Sequence, residues 1–266
     1  HKKVGNILFF AGVFFLPSAL PIGAFFLLIS IFISFYSDKI DLFKNKWDLS
    51  FFISGILIIL STFYSSIINP DNALLNFNNE TIWLNLFNWI PIYFAYLGFQ
   101  VYLRSEKQRL LFQKALIAGT VPVLVSCIMQ NIFKIYGPFE TLFGTIVWFN
   151  YKIESAQYIK TSGLFNNPNY LGMWLTLCLP FALSALKLEK NLINKLTMYL
   201  INFLIIYFAF ATYSRNAVLG IFISFLFVIE RRKLIYFFSF ALISLIVFSM
   251  FLPNFINIFG NNLENF

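Results

Sequence analysis

Nine apolar runs separated by short polar or charged breaks leave this chain little choice of architecture: 4–16, 22–36, 51–68, 82–103, 110–133, 170–186, 197–213, 216–229 and 234–252. In hydrocarbon a backbone N–H or C=O finds no water, so each run must satisfy its own polar groups, which a helix does and an open strand does not. About 20 residues cross the hydrocarbon. The shorter runs therefore need a thinned bilayer, polar ends or partial burial in a bundle. Composition excludes the soluble alternative. With 59% apolar and 11% charged residues, against about a quarter charged in soluble domains, a water-soluble fold would expose large apolar patches. The expected fold class is all-α, a polytopic transmembrane helical bundle of about nine helices.

The formal charge of +8 sets orientation rather than a nucleic-acid surface, because the basic residues cluster in the breaks. The first two runs could form one long bent helix or a hairpin turning at Pro17 and Pro21. With the hairpin, alternate breaks collect Lys2 and Lys3; Lys39, Lys44 and Lys46; Arg104, Lys107, Arg109 and Lys114; Lys187, Lys190 and Lys195; and Arg231, Arg232 and Lys233. These are 15 of the 19 basic residues, leaving Lys134, Lys152, Lys160 and Arg215 on the other side. The positive-inside rule then places the N-terminus in the cytoplasm and the last residues outside, and a single bent helix would invert every later loop. The division expected is N-terminal transmembrane helices over 1–133, an external interfacial segment over 134–169, a transmembrane core over 170–252, and over 253–266 the start of a large external loop. The chain opens at His1 and stops in "GNNLENF", which reads as a fragment. The aromatic, charge-poor segment 134–169 is expected to lie partly along the outer surface.

Soluble-enzyme motifs are missing: there is no phosphate loop, GxGxxG or HExxH, and His1 is the one histidine. Cys127 and Cys178 fall inside apolar runs and read as buried, inert thiols rather than a disulfide or metal pair. Asp38, Asp41 and Asp48 interleave with lysines and read as a solvated cytoplasmic loop; Asp71 and Glu80 read as solvated acids in an external turn. Few polar residues lie near the midplane. Gln130 and Asn131 sit near a helix end, and Asn85 and Asn88 suit contacts between helices.

Two segments carry chemistry. The first is "ATYSRNAVLG", around Ser214 and Arg215. The apolar stretch from Thr197 to Ile229 must go out and come back, so each limb would span only about 24 Å at 1.5 Å per residue, less than the roughly 30 Å of hydrocarbon. The turn is therefore expected at or slightly below the outer headgroups, where a guanidinium is costly without a partner and suits phosphate or pyrophosphate oxygens. An anchor that snorkels to the headgroups is the plainer alternative. The second is "KTSGLFNNPNYLG", from Lys160 to Gly172. Gly163 permits a tight turn, Asn167 can cap a helix, and Pro168 suits its first position. The helix start, with Lys160 nearby, would present donors to an anion; a structural cap with no ligand is the alternative.

Together these segments resemble the O-antigen ligase and polymerase family of bacterial envelope proteins, integral membrane glycan ligases. That family carries a Gly-x-Phe-x-Asn-Pro-Asn element opening a helix, matched by Gly163, Phe165, Asn167, Pro168 and Asn169, and further along a Ser-Arg pair, matched by Ser214 and Arg215. The resemblance implies an inner-membrane enzyme of lipopolysaccharide or cell-envelope biosynthesis. Such an enzyme transfers a glycan from undecaprenyl pyrophosphate to a lipid, glycan or protein acceptor on the periplasmic face. It implies that Arg215 binds pyrophosphate and that the turn from Asn167 to Asn169 shapes the pocket. Lys160 stands where the family commonly has Arg. The family's acceptor-activating His belongs to a large loop that would follow, so the resemblance names no catalytic residue here. Neither cofactor nor metal is implied, and the partners are the lipid-linked glycan, its acceptor and membrane lipids, not nucleic acid. A transporter or transport-associated protein is the competing expectation, since some relatives of the family are connected with inorganic-carbon uptake.

Overall fold

The computed structural model describes residues 1–37, 46–68, 79–154 and 159–228. It is mostly helical: α1 (Lys2–Phe15), α2 (Leu20–Ser37), α3 (Lys46–Ile68), α4 (Asn79–Phe99), α5 (Glu106–Asn131), α6 (Pro168–Leu188), α7 (Leu192–Ala211) and α8 (Arg215–Val228). Each of the first eight apolar runs is thus a helix, and the ninth, 234–252, lies outside the described residues. Five helices are long and apolar enough to cross a membrane, α2, α3, α5, α6 and α7, so the chain is a multi-pass membrane protein. The apolar stretch of α4 is interrupted by Asn85, Asn88 and Pro91, and α1 and α8, at 14 described residues each, reach only about 21 Å at 1.5 Å per residue.

The hairpin alternative at the N-terminus is the one observed. α1 and α2 run antiparallel, the His1 and Tyr36 rings meeting edge to face with centroids 6.0 Å apart, and Ala19 N–H donates back to Phe15 O across the turn at 2.7 Å. α4 runs antiparallel to both α2 and α3, with Phe94 on Phe35 and Gly98 by Ile31 on one side, and Tyr93 on Phe51 and Trp83 on Phe63 on the other. At one end of the bundle Asn6 on α1 accepts from Gln108 on α5 (3.2 Å), and the Tyr102 hydroxyl donates to Ser30 O of α2 (2.6 Å). At the same end Lys187 of α6 donates to Val228 O, the last described carbonyl of α8. The opposite end carries the segment between α5 and α6 and is called the hairpin end below.

That segment departs from a purely helical expectation. It folds into two antiparallel hairpins, β1 (Phe139–Thr141) with β2 (Ile146–Trp148) and β3 (Ile153–Glu154) with β4 (Ile159–Lys160). The first sits over the α1–α2 turn, where the Trp148 indole N–H donates to Ser18 O.

α6 is the axis of the core. Leu171, Leu175, Cys178, Leu179 and Ala182 are fully buried along it, and α5, α7 and α8 pack around it. Pro180 has no N–H, which leaves Thr176 O without its helical donor; Ser224 of α8 donates to that oxygen at 3.2 Å. One turn on, Gln113 of α5 donates to Phe181 O (2.6 Å) and Asn202 of α7 to Ala182 O (3.1 Å). Three neighbours are thus tied to one helix through its carbonyls, in a setting where apolar burial alone does not drive helices together. Cys127 and Cys178 are free, buried thiols as expected.

Several expectations are corrected. α7 begins at Leu192, capped by Asn191, whose side chain accepts from Ile193 N–H at 3.0 Å. Its 20 residues therefore span about 30 Å, the full hydrocarbon, so this limb is not the short one expected. Asp48 is not solvated: it is 7% exposed and accepts from the Tyr96 hydroxyl (2.8 Å) and Gln100 (3.1 Å), while Asp38, Asp41 and Asp71 lie outside the described residues. Asn88 is exposed, and the side chain of Asn85 lies outside the described residues.

Between α6 and α7 the Glu189 carboxylate accepts from Asn191 N–H (3.2 Å) and the Asn194 amide (3.4 Å). The Asn191 bond first, then Asn194, holds this carboxyl below its usual pKa. Its contribution to the turn is complete above the ordinary carboxylate pKa and fades as pH falls through Glu189's own lower value. An NMR titration is expected to show that low inflection, and Asn194→Ala to move it upward.

Candidate functional site at the hairpin end

The two segments singled out in the sequence meet at the hairpin end, and a buried glutamine organises the approach. Gln130, in the last turn of α5, is 1% exposed. Its Oε1 accepts from both Ser162 N–H and Gly163 N–H at 3.0 Å, and its Nε2 donates to Tyr151 O (2.7 Å) and Ser162 Oγ (3.2 Å). One side chain so meets four polar groups of the loop. Asn131 adds a bond from Nδ2 to Thr161 Oγ1 (2.7 Å). Asn150, buried beside Ser126, donates to Ile135 O (2.7 Å), and its backbone N–H donates to Gly163 O (2.9 Å).

The clamp delivers the chain into the turn at Gly163, whose φ of +55° suits glycine, and a Cβ there would stand 2.8 Å from Cys127 Sγ. From that turn the chain enters α6. Asn167 caps it, its Oδ1 accepting from Asn169 N–H at 2.8 Å, with Pro168 at the first position. The expected cap and turn are both present.

The Ser-Arg pair arrives from the other side. Thr161 N–H donates to Ala211 O, the end of α7, at 3.0 Å, which brings the strand bearing Lys160 to the α7–α8 turn. Tyr213 takes a positive φ of 53°, Ser214 N–H donates to Thr212 Oγ1 (3.2 Å), and α8 starts at Arg215. α8 then runs parallel to α6 in close contact. A Cβ added at Gly172 would meet Ala217 Cβ at 2.8 Å, Thr212 Oγ1 at 3.2 Å and Ser214 Cβ at 3.5 Å, and Gly220 abuts Thr176 in the same way one turn on. Gly172→Val is expected to wedge the pair apart at about 1–3 kcal/mol, the usual cost of overpacking, read as a lower Tm in detergent.

Two helix N-termini therefore lie side by side, facing the same way. Each end carries about half a positive charge and N–H groups without helical partners. Around them Arg215 and Asn169 are exposed, Lys160 and Asn167 half-buried, and Gly163 and Ser214 buried. The first four can face a ligand; the last two set the backbone. Such a pair of helix starts with cationic side chains can hold an anion. Sequence reasoning missed Gln130 as the organiser, since a glutamine closing an apolar run looks like a boundary; the buried Ser162, Thr161 and Asn150 gave no signal of their own.

No protein-family profile, curated protein or solved structure matches this chain.

Proposed function

We propose that the hairpin end is the external face of a bacterial inner-membrane glycan ligase or polymerase. There it holds the pyrophosphate of a polyprenyl-linked glycan while the sugar passes to a lipid, glycan or protein acceptor. The carrying observation is the side-by-side pair of parallel helix starts, one bearing Asn167, Pro168 and Asn169 and the other Arg215. The charge asymmetry of the sequence supports the orientation, with Lys2, Lys3, Arg104, Lys107, Arg109, Lys187, Lys190 and Lys195 at the opposite, cytoplasmic end and about nine crossings in all.

In this reading Arg215 presents its planar fork to the phosphate oxygens and Lys160 adds a compact charge. The N–H groups opening α6 complete the cradle, while Ser214 and Gly163 seat the backbone. Pyrophosphate is a competent leaving group, and donors fixed on its developing charge lower the barrier to glycosyl transfer. No residue described here is assigned to activate the acceptor hydroxyl.

Membrane vesicles containing the intact protein, supplied with radiolabelled undecaprenyl-pyrophosphate glycan and acceptor, test this reading. Label is expected to move to the acceptor. Solute uptake without transfer would instead establish the transporter. Against the latter, two of the amides inside the bundle, those of Gln113 and Asn202, donate to α6 carbonyls.

A further inference from the structure

The β1–β2 hairpin rests on the bundle at its base and is apolar and exposed at its tip. There Phe143 is fully exposed and Leu142 is 59% exposed, and both have a positive φ, 56° and 50°. Gly, Asn and Asp take that backbone shape most easily, so a tip made for water would carry them. Two bulky apolar residues stand there instead. The turn is nevertheless closed, because Thr145 donates to Leu142 O from its backbone N–H (3.1 Å) and again from its hydroxyl. The tip therefore holds its side chains on a fixed backbone and keeps that carbonyl satisfied, as a segment leaving water requires.

The lie of the hairpin says what meets the tip. Phe139 pairs with Trp148 and Thr141 with Ile146, so these four side chains share one face. That face is set on the α1–α2 turn, where Trp148 donates to Ser18 O and Ile146 is buried. Glu140 pairs with Val147 on the other face, and Glu140 is exposed. Just past Ser18, α2 opens at Leu20, and Leu20, Leu28 and Phe32 are each more than half exposed. On a helix long and apolar enough to cross a membrane, such residues meet lipid. The hairpin thus lies where α2 leaves the membrane, with its apolar face toward the bundle and its acidic face away. At about 3.3 Å per residue, its tip reaches about 10 Å beyond the Trp148 contact. An exposed apolar tip at that level, continuing the lipid-facing surface of α2, has the bilayer itself as its partner.

We infer that the β1–β2 hairpin is an interfacial anchor: Leu142 and Phe143 enter the boundary between headgroups and acyl chains in the leaflet at the hairpin end, and Glu140 stays on the water side. This inference stands apart from the glycan-transfer reading and survives its failure.

Nitroxide accessibility in the full chain, held in phosphatidylcholine nanodiscs, is the test. Phe143→Cys and, separately, Glu140→Cys carry the label, and the signal of the identically treated native chain, whose Cys127 and Cys178 are buried, is subtracted. Both positions are exposed, so neither substitution disturbs the packing. Collisions with molecular oxygen, which concentrates among acyl chains, are compared with collisions with a neutral water-soluble nickel chelate. The oxygen-to-nickel ratio is expected to be severalfold higher at position 143 than at 140. A ratio at 143 no higher than at 140 overturns the inference. Protection of the label at 143 from both reagents overturns it too, because the tip would then be covered by protein, a second copy of this chain or another partner, and not by lipid.

Discussion

Replacing Arg215 with alanine is expected to reduce glycan transfer by the intact protein at least about a hundredfold, the scale on which a donor aimed at developing charge acts, with membrane insertion unchanged. The residue is exposed at the start of α8, so its removal opens no cavity. α8 remains seated by Ala217 and Ser214 against Gly172 and by Ser224 on Thr176 O. Arg215→Lys should fall between, because the charge is kept while the two-pronged geometry is lost. Transfer rates in vesicles, normalised to inserted protein, read both variants. An alanine variant with native kcat/KM removes the pyrophosphate role from this residue.

The second large effect is expected at a residue that touches no substrate. Gln130→Leu preserves approximate bulk but leaves Ser162 N–H, Gly163 N–H and Tyr151 O without the partner that Gln130 provides. Buried polar groups stranded in this way cost about 1–3 kcal/mol each, enough in sum to release the loop from α5. Hydrogen exchange should then accelerate at the Ser162 and Gly163 amides while the middle of α6 stays protected, and transfer should fall with it. Gln130→Glu separates the two halves of the clamp: its carboxylate still accepts from both N–H groups but offers no donor to Tyr151 O. It should therefore retain protection at Gly163 better than leucine does. Native exchange rates in the leucine variant would contradict the clamp.

What the sequence disclosed follows from how local each determinant is. A helix in lipid is dictated by its own run of apolar residues, so eight runs could be read directly as helices. The cap at Asn167 and the turn at Gly163 were legible for the same reason, since each acts on its immediate neighbours. The ends of runs were less so: α7 starts before Thr197 because the Asn191 cap and the polar Asn194 and Lys195 extend it past the apolar stretch. The hairpins were invisible. Their strands are two or three residues long, and their placement depends on Gln130, Asn131 and Ser126 of a helix that precedes them. Asp48 was misread because its lysine neighbours suggest solvent, whereas the residues that bury it, Tyr96 and Gln100, come from another helix. The parallel approach of α6 and α8 at Gly172 and Gly220 likewise belongs to tertiary packing.

The central claim is that the paired starts of α6 and α8 bind pyrophosphate, and lipid nanodiscs allow it to be tested without any transfer step. Binding of undecaprenyl pyrophosphate and undecaprenyl phosphate would be compared on the native protein and on Arg215→Ala. A preference of about tenfold or more for the pyrophosphate, as expected when a second charged group gains a charge-assisted partner, should be present in the native protein and abolished by the substitution. Equal binding of the two lipids to the native protein, or a preference that survives loss of Arg215, would contradict the account.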